Sequence, residues 1–266
     1  MSEAFAPTPA PPYPQGHDLL AGRSVLVTAA AGTGIGFATA KRCAEEGAQV
    51  MLSDLHAGRL DKFADELAES IGREVPRAVC DVRSNDQVVA LVEQAEETFD
   101  GLDVLVNNAG LGMTKNLVDT TTDEWMSLMD VNLNGPFRTL RAVLPGMQAR
   151  GRGSIINLSS ICAWRAEAGQ TAYGASKSGV LALTRSVALE AAPFGVRVNA
   201  VVPSLAIHPH LEKVSSPEFL QKMIHDNEVL GRAAETWEIG NAVVFLASDY
   251  ASYMTGEALS VSCRRA

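Results

Sequence analysis

Short, almost purely apolar runs alternate along the chain with longer segments whose apolar positions recur at helical spacing. Apolar runs without polar alternation are typical of strands that are buried on both faces. They predict strands at residues 24–28, 49–53, 78–80, 104–106, 155–158, 196–202 and 258–261. Amphipathic segments predict helices at residues 34–46, 58–70 and 85–98, and Gly47 suits the left-handed position that ends the first of them. This order predicts an α/β fold in which helices cover both faces of a parallel sheet.

The chain is predicted to form one domain with an N-terminal extension. Its 266 residues are 47% hydrophobic, which is enough to bury a sizeable core within a single domain. Residues 1–18 contain five prolines among Ala, Thr and Gln, a composition that does not build a packed core. We expect this Pro-rich tail to be disordered or polyproline-like, and residues 19–266 to form the domain.

Composition and charge limit which binding partners and which cellular location we expect for the protein. The 22 Lys and Arg against 31 Asp and Glu give a net charge of −9. Because there is no run of basic residues, we expect no binding to nucleic acid or to an anionic membrane surface. The four cysteines show no spacing typical of a zinc or redox site, and no metal is expected. With neither a signal peptide nor a membrane-spanning run, the expected location is the cytoplasm.

Glycines cluster at the junction between the first predicted strand and the first helix. Gly32, Gly34 and Gly36 alternate there with Thr33 and Ile35. Glycine lets the backbone turn sharply and approach a ligand, while a helix N-terminus presents free N–H groups and a positive dipole to an anion. The strand before and the helix after favour a loop that binds the pyrophosphate of a dinucleotide over a merely tight turn.

Asp54 ends the second predicted strand, eighteen residues after Gly36. A carboxylate at this position accepts hydrogen bonds from the adenosine ribose hydroxyls and repels a 2′-phosphate. The nearest candidate cation is His56, with Arg59 further along. We therefore expect NAD(H) rather than NADP(H). Asp54 also suits the N-cap of the next helix, and the two roles are compatible.

Polar or small residues also follow the third and fourth strands, at the sheet edge where ligands of parallel sheets bind. Asp81, with Val82 beside it, is placed to reach the adenine; the alternative is a cap for the helix that begins near Ser84. For Asn107 a structural role and a cofactor role are equally favoured. The residues predicted to form the cofactor wall are Asn108, Ala109 and Gly110.

A Tyr-x-x-x-Lys pair indicates the chemistry. Tyr173 and Lys177 lie four apart at the start of a predicted helix and so share one of its faces. We expect Lys177, together with the charge of a bound nicotinamide, to lower the phenol pKa from near 10 by about three units, which takes about 4 kcal/mol. Tyr173 would then exchange a proton with the substrate oxygen. Lys177 can also bind the nicotinamide ribose.

Two further polar residues fit the same reaction. Ser160 follows the fifth strand and can hold the substrate oxygen alongside Tyr173, with Ser159 as a weaker candidate. Asn132 lies within a helical stretch, where Asn is unfavourable, and can bind a water that relays protons toward Lys177. Tyr173 and Lys177 could also be an ordinary surface pair. We favour the catalytic role because these residues occur together with a dinucleotide-binding loop.

These motifs resemble those of the short-chain dehydrogenase/reductase family over about residues 19–262. The resemblance implies a Rossmann-type, doubly wound parallel sheet of about seven strands in a single domain. It also implies an NAD-dependent enzyme that acts on CH–OH groups, and a homotetramer or homodimer. The implied catalytic residues are Asn132, Ser160, Tyr173 and Lys177. The implied cofactor contacts extend to Tyr173, Lys177, Pro203 and Leu205.

Some positions depart from the family pattern. The glycine loop is one residue longer than the usual T-G-x-x-x-G-x-G, so Ala29 or Ala30 stands in place of its first Gly. His208 falls where a Thr usually contacts the nicotinamide amide. Together with the segments 231–234 and 245–250, these departures resemble actinobacterial dehydrogenases of sterol catabolism. Those enzymes act on a bicyclic C/D-ring remnant as a hydroxyacyl- or ketoacyl-CoA.

Residues 205–230 are predicted to form a mobile lid over substrate and cofactor, with an amphipathic helix packed on the body as a compatible alternative. Its apolar residues would hold rings or an acyl chain, and its basic residues would meet CoA phosphates. The apolar residues are Leu205, Ile207, Leu211, Phe219, Leu220 and Met223, and the basic ones are His208, His210, Lys213 and Lys222. Trp164 and Arg165 are further pocket candidates.

The favoured activity is hydride transfer between NAD(H) and a secondary alcohol or ketone, with a CoA thioester as the candidate substrate. A 3-oxoacyl-thioester reductase is the alternative enzyme; it normally favours NADPH, and Asp54 argues against it. A non-catalytic NAD-binding scaffold is the alternative of another class. Such scaffolds commonly lack the Tyr or the Lys, and this chain has both.

Overall fold

The computed structural model describes residues 7–209, 211 and 215–264. Within this part of the chain the strands are β1 (Ser24–Val27), β2 (Gln49–Asp54), β3 (Arg77–Val79), β4 (Val104–Asn107), β5 (Gly153–Leu158), β6 (Val196–Pro203) and β7 (Ala258–Val261). They form one seven-stranded sheet in the order β3-β2-β1-β4-β5-β6-β7, and every neighbouring pair is parallel. The predicted strands are all present.

Helices cover both faces of the sheet. They are α1 (Ile35–Glu45), α2 (Ala57–Ile71), α3 (Asn85–Phe99), α4 (Thr122–Met129), α5 (Gly135–Arg150), α6 (Thr171–Ala191), α7 (Pro217–Asn227) and α8 (Thr236–Ala247). One apolar core joins α1, α2 and α8 to one face, and a second joins α3, α5 and α6 to the other. The Rossmann-type, doubly wound single domain is confirmed. In the described part of the chain, no helix has the length and apolar character needed to cross a membrane.

The central strands show why their sequences lack polar alternation. In β1, Val25 and Val27 belong to the first core, whereas Leu26 belongs to the second. All three side chains have no solvent exposure. Successive strand residues point to opposite faces, so a strand covered on both sides needs an apolar residue at every position. Each such side chain contributes roughly 1.5–3 kcal/mol through burial.

The sheet reverses its winding direction next to β1. This strand pairs with β2 on one side and with β4 on the other, while the chain reaches β4 only after β3. The crevice beyond the carboxyl ends of β1 and β4 is where sheets of this kind bind ligands. Because all strands run in the same direction, the predicted site residues that follow β1, β2, β3, β4, β5 and β6 lie along this one edge.

Local signals fix several element ends. Gly47 has φ 88, the left-handed conformation that ends α1 as predicted. Thr121 and Glu124 form a reciprocal capping box at the start of α4. From Met129 the chain continues through a π-helical turn, Asp130–Asn134, directly into α5. The hydrophobic pattern did not predict this turn.

The described residues of the Pro-rich tail, 7–18, contain no helix or strand and contact the domain. The Tyr13 ring meets Trp237 edge-on, with 5.4 Å between ring centroids. The Tyr13 hydroxyl donates a hydrogen bond of 2.7 Å to Glu45 Oε2 at the end of α1. Composition gave no indication of these contacts.

Candidate active site

The glycine loop lies between β1 and α1 and packs against the end of β4. The Asn108 side-chain amide donates hydrogen bonds of 3.0 Å to the carbonyl oxygens of Thr28 and Ala29. A Cβ at Gly36 would overlap that amide and the Ala29 carbonyl, so glycine is required there. Gly34 is the N-cap of α1 and brings no capping side chain, so the first N–H groups of the helix can face an anion.

The structure resolves which alanine replaces the first glycine of the loop. Ala29 has φ 50, in the left-handed region that a side chain rarely adopts, whereas Ala30 has no such conformation. Ala29 therefore takes the position at which a glycine would be unstrained. The remaining predicted loop residues, Gly32, Thr33 and Ile35, are exposed or partly exposed at the same edge.

Asp54 ends β2 beside the glycine loop and is only 6% exposed. Its Oδ2 accepts the Ala31 N–H at 3.1 Å, and its Oδ1 accepts the His56 N–H at 3.0 Å. His56 is the N-cap of α2, so Asp54 supports the start of this helix without itself being the cap. Arg59 donates to Oδ1 at 3.2 Å. The carboxylate predicted to select the cofactor therefore carries an arginine counter-charge that the sequence did not place there.

Asp81 and Val82 follow β3. The Asp81 carboxylate binds the Arg83 guanidinium, with 2.7 Å between Oδ2 and Nη2, and this hydrogen bond lowers the pKa of Asp81. Ser84, not Asp81, is the N-cap of α3, which removes the alternative role considered for Asp81. Val82 is buried, and its side chain contacts Gly135 at the start of α5. A role for either residue at the adenine stays a prediction.

Asn107 is buried and holds the edge together. Its Nδ2 donates to Asn157 Oδ1 at 2.9 Å, and its Oδ1 accepts the Thr139 hydroxyl at 2.6 Å. The side chain thus joins β4 to β5 and to α5. Of the two roles left open by the sequence, the contacts show the structural one.

The Lys177 ammonium lies between the ends of β4 and β5. A Cβ at Gly110 would be 3.3 Å from Nζ, which places the ammonium directly against the predicted cofactor wall. Nζ donates to the Leu158 carbonyl at 2.9 Å and lies 5.8 Å from the centroid of the Tyr173 ring. Burial lowers the pKa of Lys177 to about 8. The Tyr-x-x-x-Lys pair is therefore not an ordinary surface pair.

Ser160 and Tyr173 are the pair predicted to meet a substrate oxygen. The Ser160 side chain is near enough to the phenol to act on its pKa, and Ser160 Oγ accepts the Cys162 N–H at 3.3 Å. Burial raises the pKa of Tyr173, Ser160 opposes this rise, and Cys162 adds to it. Desolvation thus dominates at Tyr173, and the ammonium donates to Leu158 rather than to the phenol. The expected lowering, which includes the charge of a bound nicotinamide, stays a prediction.

Asn132 lies in the π-helical turn and has no solvent exposure. Its Oδ1 accepts the Leu111 N–H at 2.7 Å, while its Nδ2 donates to the Leu111 carbonyl at 2.9 Å and to Ser176 Oγ at 3.1 Å. The side chain therefore fastens the loop after β4 to α6, and the water relay stays a prediction. Ser159, the weaker candidate, donates to the Lys177 carbonyl at 2.9 Å and fixes α6.

The described part of segment 205–230 crosses the same edge. The His208 ring lies 3.9 Å from the position of a Cβ on Gly34, so it rests on the glycine loop. Lys222, proposed to meet a CoA phosphate, forms an ion pair with Asp226. On α7, Leu220 is buried whereas Phe219 is 50% exposed, which fits both a helix packed on the body and a surface facing substrate. His210 and Lys213 lie outside the described residues.

A buried glutamate, which the sequence did not indicate, holds the segment that leaves β6. Pro203 is buried and Leu205 is partly buried at this exit. Glu228, 4% exposed, accepts the Ser204 hydroxyl at 3.1 Å and the Leu205 N–H at 3.4 Å. The local signal was weak, because a single Glu after an amphipathic helix is ordinarily solvated.

These residues fit a nicotinamide dinucleotide. Gly36 allows a close backbone approach, α1 presents a helix terminus free of a side-chain cap, and Asp54 is buried with Oδ2 engaged by one hydrogen bond. Lys177 would hold the ribose near the nicotinamide, because its ammonium lies against Gly110. These four residues, Gly36, Asp54, Gly110 and Lys177, lie on one continuous edge of the sheet.

Comparison with known proteins agrees with this geometry. A family model described as Enoyl-(Acyl carrier protein) reductase matches residues 29–263. This chain belongs to the short-chain dehydrogenase/reductase family. As a member it is an oxidoreductase that uses a nicotinamide cofactor.

Individual members show how far the similarity extends. A protein of Mycobacterium tuberculosis (strain H37Rv), named (5R,7aS)-5-hydroxy-7a-methyl-1-oxo-2,3,5,6,7,7a-hexahydro-1H-indene-carboxyl-CoA reductase, is 51% identical over 257 residues, 96% of this chain and 97% of the relative. The 3-oxoacyl-[acyl-carrier-protein] reductase FabG of Thermotoga maritima is 38% identical over 242 residues, 91% and 97% of the two chains. The structure of an NAD⁺-bound xylitol dehydrogenase is 33% identical with a TM-score of 0.85, covering 92% and 99% of the two chains.

Proposed function

We propose that this chain transfers a hydride between NAD(H) and a secondary alcohol or ketone carried on a bicyclic, steroid-derived acyl-CoA. The observation that carries the reaction is the gathering of Ser160, Tyr173 and the buried ammonium of Lys177 on the sheet edge that also bears the glycine loop. The name of the 51% identical relative supports the substrate class.

Proton transfer follows from the state of Tyr173. Because burial raises its pKa, the phenol is protonated at neutral pH and suited to donate a proton to a ketone oxygen. Ser160 holds that oxygen and aligns it with the phenol. Lys177, with a pKa of about 8, is mostly protonated at neutral pH and stabilises the phenolate left after donation. The bound nicotinamide supplies the hydride chemistry.

The test of this assignment is Tyr173→Phe, which keeps the ring and removes the acidic hydroxyl. We expect turnover to fall by about 10²–10⁴-fold, the usual contribution of general acid–base catalysis. Cofactor binding, followed by NADH fluorescence, should stay within a few-fold of the parent. Unchanged turnover would contradict both the role of Tyr173 and the reaction, and would favour a non-catalytic role.

Selection of NAD(H) is the second part of the proposal. A 2′-phosphate would meet the buried carboxylate of Asp54, and the Arg59 charge beside it is held on a side chain that is 52% exposed. We expect kcat/KM to be higher with NADH than with NADPH. In Asp54→Ala, the ratio of kcat/KM with NADH to kcat/KM with NADPH should fall by about tenfold or more. Asp61→Ala, on the exposed face of α2, is the matched control. A parent enzyme that prefers NADPH would overturn this part.

The substrate class is tested by a panel of bicyclic and linear hydroxyacyl- and ketoacyl-CoA thioesters with each cofactor. We expect the bicyclic thioesters to give the highest kcat/KM. Activity confined to simple linear ketones would remove the steroid-derived assignment while leaving the reaction intact.

A 3-oxoacyl-thioester reductase is a second candidate, supported by the 38% identical FabG and by the description of the matching family model. It predicts NADPH preference and high activity with linear 3-oxoacyl chains on acyl carrier protein. The same panel, extended to such a substrate, decides between the two.

We also propose a homotetramer or homodimer in the cytoplasm. Large apolar side chains are exposed on the described surface, which supports assembly. They include Leu117, Val118, Met126 and Phe137, on or beside α4 and α5, and Phe245, Tyr250 and Tyr253, on or after α8. All four cysteines are free, in line with a reducing compartment. Light scattering coupled to size exclusion would show a monomer if the assembly is wrong.

A further inference from the structure

Arg264, near the chain terminus, joins two segments that are far from each other in sequence. Its Nη2 forms an ion pair with Glu167 Oε1, and Nη2 and Nε lie 2.7 Å and 3.2 Å from Asn227 Oδ1. The Arg264 and Glu167 side chains are only 11% and 23% exposed. A planar guanidinium that satisfies two acceptors in partly buried surroundings is a stronger contact than an exposed ion pair.

The backbone around Arg264 reinforces the connection. Glu228 and Arg264 form an antiparallel bridge, and the Val229 N–H donates to the Cys263 carbonyl at 3.0 Å. The Cys263 thiol donates to Glu228 Oε2 at 3.0 Å, the carboxylate that also accepts the Ser204 hydroxyl. The end of the chain is therefore paired with the residues that follow α7 and, through Glu228, with the exit of β6. We call Glu167, Asn227, Glu228, Cys263 and Arg264 the Arg264 cluster.

The position of the Arg264 cluster gives it a bearing on the reaction. Glu167 belongs to the loop 161–170, which connects Ser160 to the helix of Tyr173. Asn227 is the last residue of α7, on the segment between β6 and α8. The loop is held on its other side by the Lys115 N–H, which donates to the Gly169 carbonyl at 2.8 Å. The cluster thus links loop 161–170 to the end of α7, and we call these two segments the walls.

We infer that Arg264 is a positioning residue that fixes loop 161–170 against α7 and thereby sets substrate affinity. The inference rests on the proposed function in placing the substrate between these two walls. If the two walls are ordered before the substrate binds, binding carries no entropy cost for ordering them. Loss of the Arg264 link would add this cost and so weaken substrate binding. Among the described residues, no hydrogen bond or ion pair joins Arg264 to Ser160, Tyr173 or Lys177, so the chemical step itself is left in place.

The kinetic test uses Arg264→Ala. We expect KM for the acyl-CoA substrate to rise about tenfold, equivalent to about 1.4 kcal/mol, with kcat changed by less than about twofold. Arg264→Lys keeps the charge but cannot bind both acceptors in fork geometry, and should recover part of the loss. Arg77→Ala is the matched control, because Arg77 lies on β3, at the opposite side of the sheet, and pairs with Asp61 and Asp65 of α2. Its kinetic constants should match the parent.

A double-mutant cycle with Glu167→Ala tests the partner. If the two residues act through their ion pair, the double variant should resemble Arg264→Ala rather than show the product of both effects. Independent effects that multiply, or a KM for Arg264→Ala equal to that of the parent, would overturn the inference.

Hydrogen–deuterium exchange separates this inference from the proposed function, since it needs no substrate. We expect faster exchange in α7 and in loop 161–170 of Arg264→Ala, with unchanged exchange in α3. Faster exchange in a protein that turns over none of the acyl-CoA panel would support the positioning role and contradict the proposed substrate. Unchanged exchange in both walls would overturn the role of Arg264 whatever the activity.

Discussion

Tyr173 and Lys177 show how one physical cause shifts two neighbouring groups in opposite directions. Burial penalises the charged form of each, which is the deprotonated form of tyrosine and the protonated form of lysine. The pKa of Tyr173 therefore rises, while that of Lys177 falls to about 8. Near neutral pH the chain thus presents a protonated phenol beside an ammonium, the combination that ketone reduction requires.

The pH dependence of ketone reduction follows from these two shifts. Tyr173 keeps its proton throughout the range below its raised pKa, whereas Lys177 loses its charge as the pH passes about 8. We expect kcat/KM, measured at saturating NADH, to be level below about pH 8 and to decline above it. In Lys177→Arg the decline should disappear, since a guanidinium stays protonated, although the rate will be lower. A parent profile that is level to pH 9.5 would show that the Lys177 charge is not needed.

Ala29 carries backbone strain that a single substitution can relieve. A left-handed conformation costs an L-residue about 1–2 kcal/mol, and replacing the residue with glycine removes this strain. Glycine also makes the unfolded chain more flexible, which offsets about 0.5–1 kcal/mol of the stabilisation. Ala29 is exposed and has φ 50, so Ala29→Gly should stabilise the protein by up to about 1.5 kcal/mol. Ala30→Gly, at a buried residue without positive φ, should instead destabilise it by about 1 kcal/mol. Urea unfolding of both variants checks the difference in sign.

At the scale of elements, strands were predicted more completely than helices. The runs around Leu26 and Leu105 are apolar at every position because both faces are covered, a pattern that needs no knowledge of the partner strand. The end of α1 at Gly47 could likewise be predicted from nearby residues alone. By contrast, the π-helical turn at Asp130–Asn134 arises from contacts of Asn132 with Leu111 and Ser176, which lie far along the chain. Spacing alone cannot show such contacts.

The π-helical turn provides a test of Asn132 as a connecting residue. Removing its buried side chain breaks two hydrogen bonds to the Leu111 backbone and one to Ser176, and each such bond contributes roughly 0.5–1.5 kcal/mol. We expect Asn132→Ala to lower the free energy of unfolding by about 2–4 kcal/mol and to raise KM for NAD(H), because the loop after β4 is released. Asn134→Ala, which loses only an exposed hydrogen bond to Asp130, is the control and should stay within about 0.5 kcal/mol. Equal stability of the two variants would contradict this role.

For the molecule as a whole, the sequence predicted which residues gather at the candidate site but not the contacts that support them. Gly36, Asp54, Ser160, Tyr173 and Lys177 could be recognised because each follows a strand or shares a helix face with another. The ion pair of Arg264 with Glu167 spans 97 positions, and nothing near either residue indicates the other. Supporting contacts of this kind depend on how the segments pack, so they became visible only in the folded chain.

The contacts of the Pro-rich tail were also not visible in the sequence, because its composition predicts disorder whereas Tyr13 contacts the domain. The ring packs on Trp237, and its hydroxyl donates to Glu45. An aromatic pair contributes about 0.5–1.5 kcal/mol beyond its buried area, so Tyr13→Ala should lower the free energy of unfolding by about 1–2 kcal/mol. Tyr13→Phe keeps the ring contact and removes only the hydrogen bond, and should lose less than half as much. If urea unfolding of both variants matched the parent, the tail would not be docked in solution and the predicted disorder would stand. A loss in Tyr13→Ala alone would instead assign the docking to the aromatic contact, and so extend the folded unit beyond the boundary at residue 19.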